Sequence, residues 1–462
     1  MKQLHFIGIG GVGMSGLAAM CKEHGIGVSG SDRDAHRPEN SRIINALQHM
    51  DIKIYPQDGS YIADTVPDAL VYSTAIEEDN PDLVAGKGIR RLHRAELLTR
   101  IIEKCNFTHS IAVTGSCGKS SVTAYLAEAL TNLGVDPCCL NGALSKRFHS
   151  ESLAGNYRPG KKDYFVFEAD ESDKSLLRYF PDYAIVLNLG TDHYDRQELV
   201  RVFSEFLRQV KKGAVLEREV YEALKSDLPS HLNIRVFDAK ARLNSRYAIT
   251  DYRVENATFL TEFTGKKRLV LPQIGFHTAL NALAVYALLD MLKIAPDDKI
   301  LAALERFDGV WRRNDLAGKT AKGAIVYDDY AHNPEKILSC LKAIREITPG
   351  NIYAVFQPHG YKPFGFMRDQ LFAYLNKFLT RQDRFILLEP FYAGGTSSFT
   401  PNAQDVTIDW KSKSSKPEKF MVFPDRASLA IFLRMVPSQG DVVVIMGARD
   451  NSLSDFAKSL TI

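Results

Sequence analysis

The sequence predicts an α/β protein of three domains, each built on a mostly parallel sheet. Three observations carry that reading. The chain has 462 residues, enough for two to four domains with substantial cores. Short apolar runs alternate with helical patterns along most of its length. Two glycine-rich loops each follow an apolar run, where a strand should turn into a helix: Gly8-Ile9-Gly10-Gly11-Val12-Gly13 after residues 4–7, and Thr114-Gly115-Ser116-Cys117-Gly118-Lys119-Ser120-Ser121 after Ile111-Ala112-Val113.

The first domain, residues 1–106, opens on a strand over 5–9 and adds strand-like runs at 26–29, 52–55 and 69–73, the βα rhythm of a parallel sheet. A helix over 94–104 breaks near Asn106. The central domain, 107–306, starts with a strand at Ser110 that feeds the second glycine loop. It continues with strands at 164–168 and 183–188, shorter strand-like runs with turns over 213–272, and a long helix over 278–292. The third domain, 307–462, follows Phe307-Asp308-Gly309 with strands at 324–327, 352–356, 384–388 and 442–446. Helices such as 334–347 and 368–379 separate them, again a doubly wound pattern. Residues 410–417, rich in Lys and Ser, read as a solvated surface loop.

Composition narrows the class. Charged residues make up 24% and hydrophobic ones 45%, as in an ordinary soluble globular protein. The net charge of +3, from 58 Lys+Arg against 55 Asp+Glu, gives no support to a general nucleic-acid binder. No apolar run reaches transmembrane length and no signal-peptide core precedes the first strand, so a cytoplasmic protein with no membrane insertion is expected. The six cysteines (21, 105, 117, 138, 139 and 340) have no C-x-x-C or metal-like spacing and fit a reduced compartment, with the adjacent Cys138 and Cys139 as plain core or surface thiols.

Backbone N–H groups at a strand-to-helix turn point outward, and the helix dipole favours an anion there. The first loop has the G-x-G-x-x-G form, and Asp32 lies 24 residues after Gly8, near the spacing of an acidic residue that meets a ribose. That leaves NAD, a nucleotide sugar and a bare tight turn all open. The second loop carries Lys119, suited to a β/γ-phosphate, and Ser120, suited to Mg²⁺. Its glycines 115 and 118 have two residues between them, where a Walker A loop has four; Cys117 reads as a tolerated small residue. After the strand 164–168 come Glu168, Asp170, Glu171 and Asp173, which suit a hard cation. After the next strand come Asn188, Asp192, His193 and Asp195, with His193 as a metal ligand or an orienting group. Three such strand-end clusters share the sheet edge where open α/β sheets bind ligands.

Taken together, these residues resemble the Mur ligase family, ATP-dependent amino-acid ligases of peptidoglycan precursor synthesis, over nearly the whole chain. The string His5 to Ala18 is similar to the branches whose first loop holds a UDP-sugar. The resemblance thus implies a Rossmann-like UDP-binding domain, a central P-loop-type ATPase sheet and a C-terminal Rossmann-like domain for the amino acid. It implies that Gly8, Gly10, Gly11, Val12 and Gly13 cradle the UDP-sugar, with Ser31, Asp32, Ser73, Thr74, Ala75 and Arg94 around it. Gly115, Ser116, Cys117, Gly118, Lys119, Ser120 and Ser121 match the family's short ATP loop, and Asn188 its second cluster. His277 and Asn281 match the H-x-x-x-N motif that meets the adenine. Ser120, Glu168 and His193 correspond to the metal site, for Mg²⁺ or Mn²⁺. Residues 307–313 match an interdomain linker, in which Arg313 corresponds to an arginine that reaches the γ-phosphate; Asp329 corresponds to a nucleotide contact. His332 and His359 fall in the substrate-shaping motifs of the third domain.

The implied chemistry joins an amino acid, L-alanine first, to the carboxylate of UDP-N-acetylmuramate. That carboxylate attacks the γ-phosphate of ATP, and a free amine then displaces phosphate from the acyl phosphate. Lys119, Glu168, His193 and Arg313 are the implied catalytic set, assembled by domain closure, in a monomer or homodimer. Alternatives are a ligase that recycles a murein tripeptide, a ligase for another amino acid and, from a different class, a non-catalytic nucleotide-binding regulator. A nicotinamide dehydrogenase would leave the Lys119 loop unexplained. Three departures stand out. No lysine occupies the helix after His193 before Lys211, as in the alanine branch; Asn333 stands where histidine is common; and Gly360 and the following 361–365 replace an arginine-bearing stretch after His359.

Overall fold

The computed structural model describes residues 1–190, 195–255, 258–392 and 399–462. They form two compact units, Met1–Arg253 with Leu260–Pro272 and His277–Trp311, and Arg312–Ile462 with Val254–Phe259 and Gln273–Phe276. The first unit holds two sheets and the second holds one.

The first sheet is made of β1 (Gln3–Ile7), β2 (Gly27–Ser31), β3 (Lys53–Tyr55), β4 (Ala69–Tyr72) and β5 (Arg90–His93). Their order is β3-β2-β1-β4-β5, all parallel, so the chain reverses its winding at β1. The helix Val12–Glu23 leaves the end of β1 with Met14 to Cys21 all buried. β1 is buried from Leu4 to Ile7 on both faces, with His5 stacked on the Tyr61 ring at 3.9 Å. The helix Arg94–Cys105 closes this part of the chain at Asn106, whose left-handed φ of 50° stops it.

Ten strands make the second sheet: β6 (His109–Thr114), β7 (Pro137–Leu140), β8 (Tyr157–Arg158), β9 (Lys161–Glu168), β10 (Tyr183–Val186), β11 (Gly213–Glu217), β12 (Asn233–Asp238), β13 (Tyr247–Glu255), β14 (Thr258–Phe263) and β15 (Lys267–Leu271). The order is β15-β14-β13-β12-β11-β10-β6-β9-β7-β8. β6 runs parallel between β10 and β9, with Thr114 opposite Val186 and Val113 opposite Glu168. The three strand ends named in the sequence therefore sit side by side. Cys138 and Cys139 lie buried in β7.

The third sheet contains β16 (Asp315–Lys319), β17 (Ile325–Asp329), β18 (Ile352–Gln357), β19 (Arg384–Leu387), β20 (Phe420–Val422) and β21 (Val442–Gly447), in the order β16-β17-β21-β18-β19-β20. Only the edge strand β16 is antiparallel.

The unit boundary falls between Trp311 and Arg312 because the preceding segment is fastened to the second sheet's side. Phe307 stacks on Tyr125 at 4.2 Å, the Asp308 N–H donates to Glu128 at 2.8 Å, and the Trp311 N–H donates to the Leu144 carbonyl at 2.8 Å. Two local expectations change. Residues 410–413 are not loop but the end of the helix Ala403–Lys413, because Ala403, Val406, Thr407 and Trp410 make a buried stripe at helical spacing. The helix expected over 368–379 runs Tyr361–Phe378, since Pro363 falls in its first turn, where a missing N–H costs nothing.

Candidate active site

The first glycine loop is tied to the end of β2. The Gly8 and Ile9 N–H groups donate to the Ser31 carbonyl at 2.8 and 2.9 Å, and the Gly10 N–H donates to Asp32 Oδ2 at 2.9 Å. Asp32 Oδ1 accepts from the Asp34 N–H at 2.9 Å, so both carboxylate oxygens shape the loop. Burial raises the Asp32 pKa, and the two N–H donors oppose the rise. The Ser31 hydroxyl turns into the interior and donates to buried Asp82. After β4, Thr74 and Ala75 are exposed and Ser73 half-buried, while the Ile76 side chain comes within 3.3 Å of where a Cβ on Gly8 would stand. Gly11 and Val12 lead into the helix Val12–Glu23. Arg94 Nη1 lies 3.2 Å from the corresponding point on Gly13.

The second loop is clasped by the end of β10. The Cys117 N–H donates to Asn188 Oδ1 and Asn188 Nδ2 donates to the Cys117 carbonyl, both at 2.9 Å. The Gly190 N–H donates to Ser116 Oγ at 2.8 Å. Gly115 has φ 134°, and a Cβ there would stand 3.0 Å from Leu187 Cβ and 3.1 Å from the Asn188 nitrogen, so only glycine fits. Lys119, Ser120 and Ser121 form the first turn of the helix Lys119–Asn132, with Ser120 buried. Asn281, on the helix Phe276–Leu292, reaches within 3.4 Å of the Cβ point of Gly118, and desolvation lowers the pKa of His277 in that helix's first turn to about 4.

The acidic segment after β9 divides its labour. Lys119 Nζ donates to Glu171 Oε2 at 2.7 Å and to the Gly115 carbonyl at 3.0 Å, with Asp170 Oδ1 at 3.6 Å. Burial works against the ammonium, but Glu171, Asp170 and Glu168 outweigh it and hold Lys119 above the usual lysine range. Arg94 Nη2 lies 3.2 Å from Asp173 Oδ2 and 3.8 Å from Asp170 Oδ2. Three of the four acids read as cation ligands are thus paired with Lys119 or Arg94. Glu168 differs: its Oε2 accepts from the Gly142 N–H at 3.0 Å. Sequence reasoning missed these pairings; the signal available was that a lysine turned into a loop needs a counter-charge. His193 lies outside the described residues.

One cavity of about 190 Å³ lies between the first loop and the acidic segment after β9. Gly13, Leu17 and Arg94 line it from the first sheet, and Leu140, Gly142, Glu168 and Asp170 from the second.

In the second unit, three parallel strands end together, with Asp329 opposite Met446 and Gln357 opposite Gly447. Buried Asp329 accepts from the Asn314 and Ala331 N–H groups at 2.7 and 2.8 Å; burial raises its pKa, and the charge of Arg313 opposes this. The Arg313 guanidinium stands 4.8 Å over the Tyr330 ring. Arg312 is buried and donates to Asp328 Oδ1 and to the Gly447 and Asp450 carbonyls. The His332 and His359 rings meet edge to face at 5.3 Å. Asn333 caps the helix Pro334–Ile347, its Oδ1 accepting from the Lys336 N–H at 2.9 Å. Gly360 has φ 152° and ψ 156°, a region closed to other residues, which explains glycine there.

Two glycine loops at strand-to-helix turns on neighbouring sheets, one with a lysine held by buried Glu171, fit an enzyme of the ATP-dependent ligase class. Family models agree along the chain: residues 3–105 match the Mur ligase family catalytic domain, 113–289 the Mur ligase middle domain, and 312–449 the Mur ligase glutamate ligase domain. The UDP-N-acetylmuramate–L-alanine ligase of Agathobacter rectalis is 32% identical over 96% of this chain and 95% of that protein. The same-named enzyme of Sinorhizobium fredii is 31% identical over 96% and 94%. Among solved structures, the UDP-N-acetylmuramate-alanine ligase of Thermotoga maritima superposes with a TM-score of 0.79 at 26% identity, covering 99% of this chain and 98% of that one. The chain belongs to the Mur ligase family.

Proposed function

We propose that the protein is the ligase that joins L-alanine to UDP-N-acetylmuramate at the expense of ATP, in peptidoglycan precursor synthesis. The observation that carries this reading is the cavity between the first loop and the acidic segment that pairs with Lys119. Gly13 and Arg94 bring a sugar-nucleotide loop to the same space as Glu168 and Asp170, and the segment after β9 that holds Asp170 also pairs with Lys119 of the second loop. A ligase that activates a sugar-linked carboxylate with ATP needs those two ligands side by side.

In this reading the sugar carboxylate attacks the γ-phosphate, ADP leaves, and the amine attacks the resulting acyl phosphate. The enzyme's contribution is alignment and charge neutralisation. The first loop delivers the N-terminus of the helix Val12–Glu23 to the sugar nucleotide's diphosphate, whose charge the first-turn N–H groups meet. Lys119, kept charged by Glu171 and Asp170, faces the ATP phosphates. Among the described residues no group of three His, Cys, Asp or Glu could cage a metal alone. Ser120 and Glu168 fit Mg²⁺ in its usual mode, one or two protein oxygens with phosphates and water completing the shell. When bound there it would offset charge on the phosphate oxygens. The first domain is read as 1–106, the central as 107–306 and the third as 307–462. No helix among the described residues is long and apolar enough to cross a membrane, and a cytoplasmic site of action accords with a sugar-nucleotide substrate.

The test is phosphate release with ATP and UDP-N-acetylmuramate across a panel of amino acids and the murein tripeptide. Release that requires all three components, with L-alanine preferred, is expected. No release with any amine would refute the reading, and preference for the tripeptide would move the protein to the recycling branch.

A further inference from the structure

The C-terminal edge of the third sheet carries a cation without an assigned task. Arg449 stands two residues beyond the end of β21, the strand between β17 and β18. It is exposed, and its φ of 65° is left-handed. A non-glycine residue rarely adopts that conformation without a reason, and such residues gather at ligand sites. Among the described residues, no hydrogen bond or ion pair engages its guanidinium; only its N–H makes a contact, 3.5 Å from the Tyr330 hydroxyl.

Its neighbours complete the picture. Tyr330 and His332 follow the end of β17, and His359 follows the end of β18, so three adjacent strand ends deliver these groups to one edge. Such an edge is where open α/β sheets bind ligands. The Tyr330 ring meets the His332 ring at 5.6 Å, and His332 meets His359 at 5.3 Å. His332 Nδ1 lies 2.9 Å from the Tyr330 carbonyl, which fixes the proton on Nδ1 and leaves Nε2 with a lone pair. Burial first, and Lys336 second, hold this imidazole at about 3, so it is neutral at pH 7. The other arginines at this edge are engaged: Arg312 with Asp328 and two carbonyls, Arg313 with the Tyr330 face and the charge of Asp329, and Arg426 with Asp450 and Gln357. Gly360, which follows His359, offers no side chain at all. One unengaged guanidinium and one neutral lone-pair acceptor carried by the same sheet edge match the two ends of an α-amino acid.

We propose that Arg449 is the carboxylate anchor for the incoming amino acid, with the His332 imidazole accepting from its ammonium. This rests on the ligase reading above and adds the residue that selects the amine. A guanidinium–carboxylate pair is bidentate and charge-assisted, so it favours a free α-carboxylate over its amide.

The test compares wild type, Arg449→Gly and Arg449→Lys with L-alanine and L-alaninamide as amine. Glycine suits a φ of 65°, so the first variant should melt at or above the wild-type temperature. Expected is a rise in KM for L-alanine on the order of tenfold to hundredfold in Arg449→Gly, the usual loss for a charge-assisted pair. The KM for L-alaninamide, ATP and UDP-N-acetylmuramate should move less than about twofold, and Arg449→Lys should recover part of the loss. Unchanged discrimination between L-alanine and its amide would overturn the proposal, as would a change confined to the KM for ATP. Failure of the wild type to release phosphate with any amine would instead overturn the ligase reading, and this inference with it.

Discussion

Replacing Glu171 by Gln tests whether the buried pair with Lys119 prepares the phosphate loop. The pair is short, 2.7 Å, with side-chain exposures of 13% for Lys119 and 2% for Glu171. At an effective dielectric constant of about 20, two unit charges at that separation attract by about 6 kcal/mol. Desolvation cancels much of this, and removing one member of a buried pair typically costs about 3–5 kcal/mol. Asp170 at 3.6 Å and the Gly115 carbonyl at 3.0 Å remain after the substitution, so about 2–4 kcal/mol of stability should be lost. The sign with pH follows from direction. Lys119 sits above the usual lysine range against burial, so its contribution is whole below that range and fades as pH rises past it. Glu171 is itself raised, because burial and neighbouring Asp170 counteract its single lysine partner, whereas Lys119 feels three carboxylates. Glu171→Gln should therefore bring the alkaline limb of the kcat/KM profile for ATP to lower pH and reduce kcat/KM at pH 7 on the order of tenfold, about 1.4 kcal/mol. In a Lys119→Met background the same substitution should cost little, since the charge it serves is gone. An unmoved alkaline limb, or an equal loss of stability in both backgrounds, would refute the reasoning.

Two further substitutions probe the frame of the site. Gly115→Ala should weaken binding of an ATP analogue at least tenfold by calorimetric titration, because the added Cβ meets Leu187 and the Asn188 backbone in a conformation that itself costs about 1–3 kcal/mol; wild-type affinity would contradict the loop geometry. Glu128 is fully buried, accepts from Ser145 Oγ at 3.0 Å and the Asp308 N–H at 2.8 Å, and is raised by burial to about 7. Since its folded pKa exceeds the unfolded one, it binds its proton more tightly when folded, and stability should fall as pH rises from about 4.5 to about 7. Glu128→Gln should remove that fall and be more stable than wild type at pH 8 by about 2–4 kcal/mol, with the two converging near pH 4.5; parallel melting curves between pH 5 and 8 would speak against it.

What was legible in the sequence was local chemistry. The two loops and the strand ends beside them could be read because a glycine turn between a strand and a helix exposes its own N–H groups, whatever the rest of the chain does. The partners could not. Asn188 closes on Cys117, Glu171 on Lys119 and Asp173 on Arg94 only because β9 and β10 flank β6 and because the helix after β5 reaches the segment following β9. Nothing in the run Glu168-Ala169-Asp170-Glu171-Ser172-Asp173 distinguishes the one carboxylate that contacts the Gly142 N–H from the three that neutralise cations. The helix at 403–413 was hidden for a different reason: its Lys and Ser residues occupy the exposed face, and their composition masked a buried stripe that the spacing does contain.

The departures from the family pattern also sort by cause. Asn333 has a structural explanation, since its side chain caps a helix. Gly360 has one too, since φ 152° excludes a side chain there. Arg449 is a different case: φ 65° would suit glycine better, and among the described residues its side chain makes no hydrogen bond or ion pair that offsets the strain. A strained residue without a structural return points to a ligand, and the ligand proposed for this edge of the second unit is the amine. The phosphate-binding loops of the first unit can therefore stay constant while the second unit's edge changes, so a substitution at 449 should alter which amine is chosen without altering which nucleotide is bound.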